Sequence, residues 1–109
     1  MPVNLLRLSV AAIVSLAAIA APPHAVYGPL EVRRGDVIRV DLATGCNVYA
    51  LDTFNYEQYK KGRKFQYSGG LATASPFILK PPRGSYLVII ETGGEGAPPA
   101  AAVRVIHHP

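Results

Sequence analysis

The chain has 109 residues, half of them hydrophobic, with eleven Lys and Arg against seven Asp and Glu and a formal net charge of +4. That length allows one domain at most, and so mild a positive excess suits solubility and weak attraction to acidic partners, not specific nucleic-acid binding. A single cysteine, Cys46, excludes any intrachain disulfide.

The chain opens with "MPVNLLRLSVAAIVSLAAIAA", in which Arg7 precedes an apolar run from Leu8 to Ala21 broken only by Ser9 and Ser15. The run fits the roughly 7–15 residues of a signal-peptide core and falls short of the ~20 needed to span a bilayer. Ala18 and Ala20 place small residues at both positions read by a signal peptidase. Residues 1–20 therefore read as a signal peptide cut after Ala20, which predicts a periplasmic or secreted protein. The alternative is an uncleaved anchor, because Val3 to Leu6 can lengthen the apolar stretch across Arg7. Membrane contact is expected through this leader alone, and only transiently. Removing 20 of 109 residues leaves 89, with Arg7 gone and a net charge of +3. A domain that small buries only about 60–65% of its unfolded surface, so its stability margin is modest.

Pro22-Pro23 marks a short extended linker over 21–26, and residues 27–109 read as the folded domain. "GDVIRVDLA" alternates, with Ile38, Val40 and Leu42 sharing one face, and predicts a half-buried strand after the Gly35-Asp36 turn. "CNVYALD" alternates again and makes Cys46 a small buried residue. In "FNYEQYKKGRKFQYSGG", Asn55 can cap a helix with Gln58 three residues on, and the charge pair Glu57–Lys61 has the favourable i, i+4 order. Gly62 supplies the left-handed residue that ends it. The spacing predicts one to two helical turns over Asn55 to Lys61, held down by Tyr56 and Tyr59, since so short a helix is unstable alone.

Alternation resumes in "KFQYS", a third strand with Phe65 and Tyr67 on one face, and "PFILK" is a fourth. "SYLVIIE" is almost continuously apolar and is predicted to be the most buried, central strand. "AAVRVIHH" closes the chain. Gly and Pro punctuate the connections "KPPRG" and "TGGEGAPP". No connection is long enough for a crossover helix, so the predicted fold is all-β, a small antiparallel β-sandwich or barrel with one short helical turn.

The motifs in "NYEQYKKGRKFQYSGG", then Ser75-Pro76, then "PPRGSYLVIIETGG" resemble a bacterial family, the domain of unknown function numbered 1883. The family pattern is matched by Asn55, Tyr56, Tyr59, Lys60, Gly62, Tyr67, Gly69, Gly70, Ser75, Pro76, Pro81, Gly84, Tyr86, Gly93 and Gly94. The resemblance runs from about Tyr27 to Ile106. Two departures stand out: Tyr86 occupies a position where the family has Trp, and the apolar leader is an addition. The resemblance implies a compact β-sandwich-like domain with no established activity. Some relatives join it to signalling domains, which favours a sensing or interaction module over an enzyme.

Chemical signatures are sparse. His107 and His108 are neighbours, so on a strand they point to opposite faces and cannot readily share an ion; they read as a solvated tail. Neither these nor His24 has the spacing of a structural zinc site, and no pattern calls for a cofactor. Ser68 and Ser75 lie outside any Gly-x-Ser-x-Gly elbow. Asp52, between a strand and the helical turn, reads first as a cap for local backbone N–H groups and second as the centre of a small hydrolase.

What remains is "KKGRK", where Lys60, Lys61, Arg63 and Lys64 crowd four charges into five residues beside Tyr59 and Tyr67. A solvated helix end is one reading. The sharper one is a shallow patch that contacts an acidic ligand or acidic protein partner. The predicted function is accordingly an exported, non-enzymatic binding module, monomeric or weakly self-associating. A structural or assembly role through a sheet edge or Cys46 is the alternative.

Overall fold

The computed structural model describes residues 21–109; the predicted signal peptide lies outside them. The seven strands are β1 (His24–Val32), β2 (Val37–Leu42), β3 (Cys46–Leu51), β4 (Ser68–Ala72), β5 (Phe77–Leu79), β6 (Gly84–Glu91) and β7 (Ala101–Ile106), with α1 (Thr53–Lys60) between β3 and β4. They form two sheets with every pairing antiparallel, one ordered β1-β6-β3-β4 and the other β5-β2-β7. Among the described residues the chain is mostly β with one short helix, as its alternation predicts.

The alternating strands deliver their apolar faces to a common interior. Ile38 and Val40 from β2, Val48 and Ala50 from β3, and Val88 and Ile90 from β6 are all essentially inaccessible and form the main core between the sheets. Cys46 joins them at 3% exposure, and burial pushes its thiol pKa up.

β6 explains its own continuous apolar run. It lies between β1 and β3, and residues of opposite parity meet different layers. Val88 and Ile90 face the other sheet, while Ile89 joins Leu51 and Tyr59 in a second cluster under α1. Both faces are covered over Val88 to Ile90, and apolar side chains fill both.

Three local expectations are corrected. First, β1 begins at His24, inside the segment expected to be a linker. The Gly28-Pro29 step breaks its alternation, and the pairing with β6 shifts register between Tyr27 and Leu30. An edge strand tolerates this, since Pro29 has no N–H to offer and needs none on the open side.

Second, the helix is capped by Asp52, not Asn55. Asp52 has extended backbone, and its Oδ1 accepts from the Asn55 N–H at 2.8 Å. Asn55 instead ties the helix to the returning chain, its Oδ1 accepting from the Gln66 N–H at 2.8 Å. Glu57 pairs with Lys60 at 2.9 Å, because Lys61 has already left the helix as its C-cap. Gly62 takes the left-handed φ of +70° expected of it.

Third, the strand expected over Lys64 to Ser68 starts only at Ser68 and runs through the glycines. Phe65 and Tyr67 precede it because their rings are used elsewhere.

Candidate functional site

The outer face of the four-stranded sheet carries an aromatic layer assembled from four parts of the chain. Register places His24 of β1 beside Glu91 of β6, and Tyr49 of β3 beside Ile89. From above, α1 lowers Tyr56 and Tyr59, three residues apart and therefore on one helical face, with their rings stacked at 6.3 Å. The loop after Gly62 then lays Phe65 and Tyr67 over Tyr49, at centroid separations of 5.6 and 4.7 Å. Phe65 also meets Tyr59 edge-on at 5.2 Å. Such edge-to-face contacts set the positive ring edge against the negative face. A helix of eight residues is stable here because this layer holds it.

At the floor sits Glu91, a carboxylate only 5% exposed. It accepts hydrogen bonds from the Tyr59 hydroxyl and from Asn47 Nδ2 at 3.3 Å. Burial, first, and the bond to Glu91, second, push the Tyr59 phenol far above its ordinary pKa. Tyr49 is displaced in the same direction, again chiefly by burial. Replacing Tyr59 by Phe keeps the ring and deletes one of the two donors to a buried carboxylate. The expected loss is about 1–3 kcal/mol, read from urea unfolding midpoints; an unchanged midpoint would mean that water replaces the hydroxyl freely.

An open cleft of about 260 Å³ lies over this floor, lined by Tyr49, Tyr59, Arg63, Phe65 and Glu91 together with Ala21 and Pro22. A neighbouring cleft of about 360 Å³ on the far side of Phe65 is lined by Phe54, Asn55, Lys64 and Gln66. The predicted patch is thus divided. Tyr59 is 5% exposed and supports the surface from beneath, whereas Tyr67 is half-exposed. Lys60 is occupied, paired with Glu57 and lying 4.6 Å over the Tyr56 ring. Lys61, Arg63 and Lys64 are exposed and have no carboxylate partner among the described residues. Phe54, 69% exposed beside Lys64, was not anticipated, nor was the buried role of Glu91. A large aromatic on a helix's solvent side was the available signal for the first. A lone acid closing an apolar strand was the signal for the second.

Two further acids, Asp52 and Asp36, are engaged in local structure. Asp52 caps α1. Asp36, 5% exposed in the β1–β2 turn, gathers the chain end that was expected to be a free tail. It accepts from the backbone N–H groups of Arg33 and His108, at 2.9 and 2.8 Å, and its Oδ2 lies 2.9 Å from His107 Nδ1. The His108 amide, above all, holds this carboxyl at about 2, below its ordinary 3.8. A folded-state pKa below the unfolded one stabilises above the unfolded value and is lost as pH falls. Release of residues 107–109 is therefore expected between about pH 4 and pH 2, visible as movement of the His108 amide resonance. The Asp36→Asn variant should show no transition in that window; a transition that survives it would assign the release to another group.

A protein-family model described as Domain of unknown function (DUF1883) matches residues 24–109. No curated protein and no solved structure matches the chain.

Proposed function

Starting from the chain's membership of the DUF1883 family of domains of unknown function, we propose that it is an exported, non-enzymatic module binding an acidic ligand or acidic protein partner. The contact is the loop that follows α1. One observation carries this reading: Lys61, Arg63 and Lys64 stand exposed without carboxylate partners among the described residues, and Lys64 shares an open cleft with the exposed ring of Phe54. Cations beside apolar rings suit ligands that present anionic groups on an otherwise apolar or sugar-like surface. Asn55 and Gln66 line the same cleft and supply hydrogen-bonding groups. The loop is anchored from below by Tyr59, Phe65 and Tyr67, so ordering it on binding costs little. Export through residues 1–20 would place it in the periplasm or outside the cell, with membrane anchoring by an uncleaved leader as the alternative.

The test is retention on a heparin column. The triple variant Lys61→Gln, Arg63→Gln, Lys64→Gln is expected to elute at clearly lower salt than the parent, because exposed charges act over a Debye length of about 8 Å at physiological ionic strength. Equal retention by a triple variant with an unchanged melting curve would remove the proposal.

A second reading has its own support. Leu71, on edge strand β4, is 70% exposed, and an open edge with an apolar residue invites pairing with another chain. Self-association through β4 would appear as a concentration-dependent sedimentation coefficient that Leu71→Lys abolishes.

A further inference from the structure

Glu91 poses an electrostatic problem that the described residues leave open. Its carboxylate is 5% exposed, receives two neutral donors and forms no ion pair. Arg63 lines the same cleft but stays exposed and makes no salt bridge to it. A buried carboxylate is costly without a cationic counterpart, and a cation brought against it interacts more strongly than a pair exposed at the surface.

The segment before β1 is held in place for such a delivery. His24 Nδ1 lies 2.9 Å from the Pro22 carbonyl oxygen, and its Nε2 lies 3.1 Å from the Tyr56 hydroxyl. Its ring also meets Tyr59 edge-on at 5.0 Å. This staple directs the preceding residue inward. Ala21 packs against the Leu51, Tyr59 and Ile89 cluster and lines the Glu91 cleft. Ala21 is also the residue that a cut after Ala20 would make the first of the mature chain.

We propose that the mature amino terminus is the missing counterion: once the leader is removed, the Ala21 α-ammonium enters the aromatic cleft and pairs with Glu91. The covalent step is hydrolysis of the Ala20–Ala21 peptide bond by the export machinery's peptidase. Water adds across the bond, the carboxylate leaves with the leader, and the amine remains on Ala21 and takes up a proton. In the precursor that nitrogen is a neutral amide, so Glu91 lacks its partner until processing. Export is thereby coupled to tightening of the layer that supports the basic loop. The inference rests on the export reading above but not on any ligand for the loop.

The test expresses the full-length precursor in a bacterium, recovers the exported protein, and determines its N-terminal residue by mass spectrometry. Ala21 is the expected start. An intact leader on exported protein, or a start other than Ala21, overturns this inference alone, and full-length protein found only in the cytoplasm overturns the export reading with it. The α-amine of the processed protein is then selectively acetylated, in the parent and in Glu91→Gln. Acetylation should lower the parent's melting temperature by about 4–8 °C, the shift that corresponds to 1 kcal/mol in a domain of this size, and should leave Glu91→Gln nearly unaffected. Equal shifts in the two proteins, or none in either, overturn the inference. Should Glu91→Gln fail to fold, the parent alone decides. Its α-amine should acylate at least about tenfold more slowly than that of the peptide Ala-Pro-Pro-His, a ratio worth 1.4 kcal/mol of protection; equal rates overturn the pairing.

Discussion

Replacing Tyr59 by Ala is expected to cost about 3–5 kcal/mol, the range for deleting a buried aromatic ring. Tyr59 touches every part of the outer layer: it stacks on Tyr56, meets Phe65 and His24 edge-on, and donates to Glu91. Its loss leaves a cavity above Ile89 and Leu51 and strips a buried carboxylate of a donor at the same time. Domains are stable by only about 5–15 kcal/mol, and one this small is expected near the lower end. The variant should therefore be substantially unfolded at 37 °C, with α1 and the basic loop released first. Urea titration followed by circular dichroism measures the loss, and Tyr59→Phe separates the hydroxyl from the ring. A cost below about 1 kcal/mol would show that the layer is not what holds the helix.

Gly69→Ala is the second large effect. Gly69 has a φ of +120°, where a side chain is strained, and an added Cβ would overlap the Val48 carbonyl oxygen and press on Leu79 Cδ2 at 3.1 Å. Backbone cannot yield as a flexible side chain can. The expected cost is about 2–4 kcal/mol, combining backbone strain with overpacking. It should fall on one place: β4 pairs only with β3, so its amides should lose hydrogen-exchange protection while β6 keeps its own. Gly70 is the internal control. Its φ of +142° is equally unsuited to a side chain, but a Cβ there meets nothing within 4 Å. Gly70→Ala should cost about 1–2 kcal/mol, from backbone strain alone. Equal losses for the two would mean that the Val48 contact relaxes and steric overlap contributes nothing.

The parts of the fold that were legible are those in which side-chain period and burial coincide. β2 and β3 could be read directly because alternate residues meet core and solvent. β6 could be read because a strand covered on both faces has no polar parity. The parts that were misread share a different cause. β1 contains Gly28-Pro29 and β4 contains Gly69-Gly70; both are edge strands, with one side free of pairing, so they tolerate residues that a propensity argument reads as breaks. Asn55 and Asp52 are both good N-caps three residues apart, and local sequence does not choose between them. The choice came from the Asn55 side chain being engaged with the Gln66 amide, eleven residues on.

For the candidate site, the sequence by itself determined the cluster of cations, the nearby tyrosines and the Gly62 turn that presents them, because charge density and chain reversal are local properties. Only the tertiary structure decided that Tyr59 supports the site from beneath, that Arg63 and Lys64 face different clefts, and that Glu91 lies buried next to His24 and Ala21. Those facts depend on the antiparallel register of β6 with β1 and on where α1 lands on the sheet. Both are set by contacts between residues more than thirty positions apart in the sequence, as in the bond from Tyr59 to Glu91 and that from His24 to Tyr56. Periodicity along one segment carries no information about which other segment will lie against it.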